Sequence, residues 1–458
     1  MFKYETDSRK VKPGQTFVAI KGYTVDGHDY IDKAILNGAT EIIAAHEVES
    51  SVPVTIVDDP ASYFQKLLVE EYSDEFKDLK LIGITGTNGK TTSAYLTYQM
   101  LNLLGKKACY IGTLGFMCGD YFEELPNTTP EILTMYKLLE KAKDLGCEYV
   151  AMEVSNFALD LKRIEGLKFV AGSFTNLSED HLDYHKTMEI YMNCKLKLVN
   201  YIKKDGVLTV NIDDEVSKKF MEIFKNTKTY GFSKADYEII NDDIHPDHTN
   251  IDFTVYGKEY KVTTNLTSKF NIYNYFTMFS ILHELGFSCE ELIEKTKDLK
   301  APKGRCETYK VKDGFVVIDY AHTPDAVLKV VTAYKELAKG RVITLVGCGG
   351  DRDPIKRPIM GEIASHYSDY VIFTDDNPRC EDHEKIMEDI LNGVTKDNYE
   401  VCLDRKEAIK KALDKIEKND IVLLLGKGHE DYQIIGHTKI HLDDSEEVLK
   451  YIENNKND

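Results

Sequence analysis

Short apolar runs that end in Gly, Asp or Asn recur along the chain, and each gives way to a stretch with helical periodicity. Strands covered by helices on both faces read as continuous apolar runs, so this pattern predicts parallel sheets with crossover helices and an α/β fold. The clearest strands are predicted at residues 79–85, 149–154, 169–174, 314–319, 342–346, 370–374 and 421–425. Their carboxyl ends carry most of the unusual polar residues, which is where open α/β sheets bind ligands. Between Tyr237 and Asn265 the pattern changes to apolar–polar alternation, which predicts an antiparallel hairpin inserted after the helices of a middle domain.

The chain has 458 residues, more than one hydrophobic core usually serves, so three domains are expected. One break falls near 73–78, before the first strong strand; another falls near 300–305, where Pro302 and Gly304 interrupt a helical stretch. The expected domains are therefore 1–77, 78–301 and 302–458. Lys and Arg total 58 against 77 Asp and Glu, a net charge of -19, which argues against nucleic acid or an anionic membrane as the main partner. No run approaches the roughly eighteen apolar residues of a membrane span, and the opening Met1-Phe2-Lys3-Tyr4 lacks a signal core, so a cytoplasmic protein is expected. The nine cysteines are odd in number and show no zinc spacing. They read as reduced thiols, and Cys194 and Cys306, beside residues of interest, read as packing.

The run at 79–85 leads into Gly86-Thr87-Asn88-Gly89-Lys90-Thr91-Thr92 and then a helical stretch. That is the setting of a phosphate cradle: glycines let backbone N–H groups approach the phosphates, and the helix N-terminus adds a favourable field. Lys90 would neutralise the β and γ phosphates and the Thr91 hydroxyl would ligate Mg²⁺, so ATP is the natural ligand. Ile84 stands where the standard loop has its first glycine. Together, GTNGKTT after an apolar strand resembles the Mur ligases and their folylpolyglutamate synthase relatives.

A second cluster follows. The strand at 149–154 delivers Glu153, and the next leads into Thr175-Asn176-Leu177-Ser178-Glu179-Asp180-His181-Leu182-Asp183-Tyr184-His185. Oxygen and imidazole groups of this kind suit Mg²⁺ held with substrate phosphates. MEVS, FTNLSEDHLDYH and the trailing Tyr191-Met192-Asn193-Cys194-Lys195 are similar to the central domain of the tripeptide-forming Mur ligases. In that family the lysine matching Lys195 is carbamylated, which requires a neutral amine and hence a lowered pKa. The resemblance thus implies a metal set of Thr91, Glu153, His181 and carbamylated Lys195.

The resemblance extends to both ends of the chain. Asp7-Ser8-Arg9, Pro13-Gly14, Phe17-Val18-Ala19 and the segment from Gly22 to Gly27 resemble the small N-terminal α/β domain that holds UDP. It implies that Ser8 meets the nucleotide, while Thr128, Thr129, Ser155 and Arg163 face the sugar and peptide. Asn127-Thr128-Thr129-Pro130 also reads as a helix N-cap, as do Asn271 and Asn274, whose family counterparts lie near the adenine. Asn156 and Phe157 depart from the family's usual Ser-His, and the UDP-linked acceptor stays open there.

Gly304-Arg305-Cys306-Glu307 and Asp319-Tyr320-Ala321-His322 match the C-terminal, Rossmann-like domain and would bring Arg305 and His322 against ATP bound to the central, parallel-sheet ATPase domain. Asp376-Asn377-Pro378-Arg379 and Gly426-Lys427-Gly428-His429-Glu430 match the loops of members that add meso-diaminopimelate. With Arg352, these loops would hold the amino acid through Asn377, Arg379, Gly426 and Glu430; Arg352 or Arg379 pairs a distal carboxylate and Glu430 an ammonium. The implied activity is ADP-forming addition of the third amino acid to UDP-MurNAc-L-Ala-D-Glu in peptidoglycan synthesis, with ATP and Mg²⁺, by a monomer. A lysine-adding or paralogous amide ligase, and more remotely a non-catalytic UDP-peptide sensor, are the alternatives.

Overall fold

A computed structural model describes residues 2–22 and 25–455. Tyr23 and Thr24, within the N-terminal match at Gly22 to Gly27, lie outside the described residues. The chain builds three sheets that bear on function, each within one expected domain.

The first is a four-stranded parallel sheet of Tyr4–Glu5, Thr16–Val18, Glu41–Ala44 and Val54–Ile56, in chain order. Strands this short carry too few residues for a period to show in sequence. The helix Pro60–Tyr72 starts with Asp59 accepting from Ala61 and Ser62 N–H groups and with Pro60 at its first turn, where no amide hydrogen is needed. It buries Phe64 and Leu68, which with Phe76 and Tyr4 join one apolar cluster with Tyr136 and Leu139 of the middle region. The small sheet therefore leans on its neighbour, and the Lys137–Glu5 ion pair at 2.6 Å and a Gln65 Nε2 bond to Leu161 O at 3.1 Å reinforce the seam.

The second sheet has eleven strands. Its parallel centre runs Ile202–Asn211, Phe169–Phe174, Lys80–Thr85, Tyr149–Glu153 and Ala108–Gly112. The alternating segment after Tyr237 differs from the expected hairpin: Tyr237–Ile244, Thr249–Val255 and Lys258–Thr264 form three antiparallel strands that extend this same sheet through Thr227–Gly231. The alternation is explained by burial of one face against the helix Lys269–Glu284, which is itself buried over most of its length.

The third sheet orders Arg305–Val311, Gly314–Asp319, Ile421–Leu425, Val342–Val346, Tyr370–Phe373 and Tyr399–Val401, all parallel except the first. Helices cover both faces, as two separate apolar clusters show. The loops after residues 319, 346, 373 and 425 consequently emerge along one carboxyl edge. Among the described residues no helix is long and apolar enough to cross a membrane, and all nine cysteines are free thiols.

Candidate active site

Strand order assembles the phosphate loop with its partners. Lys80–Thr85 lies between Tyr149–Glu153 and Phe169–Phe174, with Ile84 opposite Glu153 and Thr85 opposite Phe174. The loop, the Glu153 carboxylate and Thr175 therefore leave the sheet side by side. Gly86 has φ +148°, and a Cβ there would lie 1.9 Å from Thr175 Oγ1; Gly89 has φ +85°, and a Cβ there would meet Asn274 Oδ1 at 2.3 Å. Both positions need glycine for room as well as conformation. The Lys90 ammonium folds back onto Gly86 O (3.0 Å) and Thr87 O (2.8 Å), and desolvation holds its pKa below the ordinary lysine value.

Thr91 Oγ1 donates to Glu153 Oε2 at 2.9 Å. Glu153 is fully buried and also accepts from Tyr110 OH (2.5 Å), Thr113 N (2.8 Å) and Thr113 Oγ1 (3.4 Å). Gly112 makes room beneath: a Cβ there would lie 2.2 Å from Tyr110 OH and 2.3 Å from Glu153 Oε1. All the hydrogen bonds to Glu153 come from neutral donors, the situation in which a buried carboxylate calls for a cation.

Lys195 lies in the last turn of the helix Met188–Leu196, which Thr187 caps through Ile190 N. Its side chain is wholly buried, its ammonium donates to Gly86 O at 2.8 Å and lies 4.3 Å from the Tyr191 ring centre. Burial, then the nearby Lys90 charge, depress its pKa well below the lysine value, which favours the neutral amine that carbamylation needs. His181 adopts φ +52° ahead of the short helix Leu182–His185, 3.5 Å from Asp180 Oδ2, with its pKa lowered by burial. His185 is buried instead against Asn156 Nδ2 at 2.8 Å, and Phe157 packs edge-on to His181 and Tyr184 at 5.5 and 4.8 Å between ring centres. The departing pair Asn156-Phe157 thus supports the histidine segment. Cys194 donates to Asn156 O, and burial pushes its thiol up to about 11, as a packing residue requires. Among the described residues no three His, Cys, Asp or Glu side chains converge. Thr91 and Glu153 supply oxygen donors of the kind magnesium takes, and Lys195 reaches the same loop at Gly86.

The expected peptide-facing residues form one network off Glu153. Thr129 Oγ1 donates to Glu153 O (2.8 Å) and accepts from Ser155 N (3.1 Å); Thr128 Oγ1 meets Thr113 Oγ1 at 3.0 Å; Arg163 Nη1 donates to Thr129 O at 3.0 Å while pairing with Glu131. The N-cap reading of Thr128-Thr129 is corrected: Glu131 precedes the helix Ile132–Asp144, and the Thr129 hydroxyl is taken by the end of the neighbouring strand. Ser155 itself caps the helix Asn156–Asp160 through Ala158 N. Ser8 is buried in the turn Ser8–Lys10 of the N-terminal sheet, its carbonyl accepting from Asn37 Nδ2 at 2.8 Å.

A cavity of about 600 Å³ separates the phosphate loop from the third sheet and is lined by Asn88, Gly89, Asn271, Asn274, Arg305 and His322 among others. The Arg305 guanidinium lies 4.8 Å from the Tyr320 ring centre, and the His322 Nδ1 is 2.7 Å from Tyr320 O. Asn274 Nδ2 donates to Asn271 Oδ1 and Asn271 Nδ2 to Thr267 O, both at 2.9 Å. Neither caps the helix Lys269–Glu284, which begins after Ser268, so that cap reading is also corrected.

The two loops expected to hold the amino acid meet each other. Asn377 Nδ2 donates to Glu430 Oε2 at 2.8 Å, and the buried Lys427 ammonium lies 3.2 Å from the same oxygen and 3.4 Å from Asn377 Oδ1. Arg379 adopts φ +54°, and its Nη1 donates to Gly350 O at 2.8 Å. Arg352 is exposed beside Gly349, whose Cβ position also faces Arg379. Gly426, at φ +107°, has Asp376 Oδ2 2.7 Å from where a Cβ would stand. Sequence reasoning missed Tyr110 and Thr113 and gave no separate role to Thr175, Tyr320 and Lys427 within the motifs that carry them. Ala108-Cys109-Tyr110-Ile111-Gly112 does carry the signal used elsewhere, an apolar run ending in glycine.

Comparison with known proteins matches residues 84–282 to the Mur ligase middle domain, 304–428 to the Mur ligase glutamate ligase domain and 4–70 to the Mur ligase family catalytic domain. A UDP-N-acetylmuramoyl-L-alanyl-D-glutamate–2,6-diaminopimelate ligase of Clostridium acetobutylicum is 43% identical over 97% of this chain and 93% of its own length. The ligase of that name from Fusobacterium nucleatum is 42% identical over 96% of this chain and 92% of its own. Among solved structures, a ligase of the same description superposes with TM-score 0.72 at 29% identity over 100% of this chain and 95% of its own. A MurF ligase of Thermotoga maritima, solved with ADP, reaches 0.70 at 20% identity over 99% of this chain and 97% of its own, a likeness of fold.

Proposed function

The chain belongs to the Mur ligase family, and from that membership we propose that it adds meso-2,6-diaminopimelate to UDP-MurNAc-L-Ala-D-Glu, converting ATP to ADP and phosphate in peptidoglycan precursor synthesis. The observation that carries the reading is the gathering of Lys90, Thr91, Glu153 and Lys195 around the phosphate loop, whose Asn88 and Gly89 line one cavity with Arg305 and His322.

A carboxylate is a poor electrophile, so the acceptor's glutamyl carboxylate oxygen first attacks the γ-phosphorus of ATP and the bond to the ADP oxygen breaks. The acyl phosphate that results is attacked at its carbonyl carbon by the amine of the amino acid. Phosphate leaves with the electron pair of the C–O bond, the nitrogen loses a proton, and an amide remains. Lys90 and the backbone N–H groups of the phosphate loop balance charge on the transferring phosphoryl group. Magnesium held by Thr91, Glu153, His181 and carbamylated Lys195 would add further charge neutralisation there. Thr128, Thr129, Ser155 and Arg163 orient the acceptor, and Ser8 holds the uridine nucleotide.

Residues 1–77, 78–301 and 302–458 act as the UDP-, ATP- and amino-acid-binding domains of a monomer working in the cytoplasm, with the last two closing over the cavity for reaction. The Arg379 guanidinium favours diaminopimelate over lysine, because lysine lacks the distal carboxylate and would leave that cation without an anion.

ADP release measured with UDP-MurNAc-L-Ala-D-Glu and a panel of amino acids tests the reading. Diaminopimelate should support turnover and lysine little, and Lys90→Ala should abolish turnover in a folded protein. Turnover retained by Lys90→Ala would refute the phosphate assignment, and preference for lysine would refute the choice of amino acid.

A further inference from the structure

The two amino-acid loops grow from strands that are not neighbours. Tyr370–Phe373 precedes the first loop and Ile421–Leu425 the second, and Val342–Val346 lies between them. Backbone pairing therefore sets the distance between the loops only through a third strand. Arg405, at the start of the helix Arg405–Asp414, spans that gap from below. Its side chain is wholly buried, and its Nε and Nη2 form a fork on Asp444 at 2.9 and 2.6 Å. Nη2 also donates to Leu425 O at 3.1 Å, and Nη1 reaches Asp375 O at 3.4 Å. Leu425 immediately precedes Gly426-Lys427-Gly428-His429-Glu430, and Asp375 immediately precedes Asp376-Asn377-Pro378-Arg379. One guanidinium thus grips the roots of both loops.

The anchor of that guanidinium is the C-terminal helix Asp444–Asn454, of which Asp444 is the first residue. Its neighbours reach the segment that carries Arg305. Asp443 Oδ2 binds Lys303 Nζ at 2.5 Å, and Ser445 Oγ donates to Glu307 Oε2 at 3.2 Å. Glu307 Oε2 in turn accepts from Gly304 N at 2.9 Å, next to Arg305. A sealed ion pair contributes little net stability compared with apolar side chains of the same volume. A planar fork does impose direction, because its hydrogen bonds form only when both carbonyls stand at fixed places.

We propose that Arg405 and Asp444 are positioning residues for the incoming amino acid, setting the separation of the Asp376–Arg379 and Gly426–Glu430 loops, and that the C-terminal helix is thereby part of the amino-acid site. This rests on the reading that those loops hold diaminopimelate. The full-length enzyme carrying Arg405→Lys keeps the charge and loses the fork. Its KM for diaminopimelate should rise about tenfold, as expected for losing one or two oriented hydrogen bonds, with KM for ATP and for the UDP-dipeptide within about twofold. Arg405→Met with Asp444→Leu fills the same space without charge and should show the same split, which covers the case in which Arg405→Lys does not fold.

Hydrogen exchange without substrate supplies the independent readout. Amides at 376–380 and 426–430 should exchange about tenfold faster in the variants, while those at 86–92 keep the wild-type rate. Unchanged exchange together with all three KM values within about twofold would overturn the proposal, as would acceleration spread equally over strands Val342–Val346 and Ile421–Leu425. Wild-type enzyme without diaminopimelate-dependent ADP release would instead sink the functional reading, leaving the exchange result to judge the brace.

Discussion

Gly112→Ala should disable catalysis from a position that touches no substrate. The added Cβ would stand 2.2 Å from Tyr110 OH and 2.3 Å from Glu153 Oε1, whereas such atoms keep at least about 3.0 Å apart. Neither neighbour can yield freely: Tyr110 is held by Glu153, and Glu153 by Thr91 and Thr113. Relief therefore moves the carboxylate by somewhat under about 1 Å, a misplacement that costs about 10²-fold in turnover. The overpacking itself should cost about 1–3 kcal/mol of stability. ADP release at saturating substrates reads the first effect and calorimetry of the whole chain the second. Gly105→Ala is the control, because Gly105 has φ +74° but open space around it: it should lose some stability and keep wild-type kcat. A folded Gly112→Ala enzyme with unchanged kcat, or an equal loss in Gly105→Ala, would refute the role given to the Glu153 geometry.

Three further outcomes are expected. Carbamate on Lys195, followed with carbon-13-labelled bicarbonate, should persist at neutral pH and disappear as pH falls through the lowered amine pKa, since only the neutral amine reacts; carbamate that survives once the amine is protonated would contradict this. Arg379→Ala should raise KM for diaminopimelate by about tenfold to a hundredfold, the worth of one charge-assisted hydrogen bond, and leave KM for ATP unchanged. Tyr320→Ala removes the ring beneath Arg305 and should weaken ATP binding by about 0.5–2 kcal/mol, measurable by calorimetric titration, with little change in KM for the amino acid.

The strands that organise the site were legible because burial on both faces leaves an uninterrupted apolar run. Ile421–Leu425 and Val342–Val346 are wholly buried and fall at the expected residues. The phosphate loop was legible for a related reason, since glycine, lysine and threonine at that spacing serve one geometry. Adjacency across the sheet was not. The contact of Thr91 with Glu153 follows from their two strands being neighbours, a property of topology rather than of either segment. Residues with generic side chains stayed hidden for the same reason: Tyr110 acquires its role by standing on the strand beside Glu153, Thr113 by lying in the turn just after that strand, and Lys427 by being buried against Asn377. Thr129 shows the opposite error, in which a local cap reading lost to a long-range partner 24 residues away.

The carbonyl oxygen of Gly86 accepts from both the Lys90 ammonium and the Lys195 amine. Lys90 therefore rests on neutral dipoles of its own loop, the carbonyls of Gly86 and Thr87. Arrival of a nucleotide exchanges one set of partners for another, and departure of the spent nucleotide restores the first without stranding a bare charge in a dry pocket. A loop built this way can grip phosphate firmly during reaction and still let the product go.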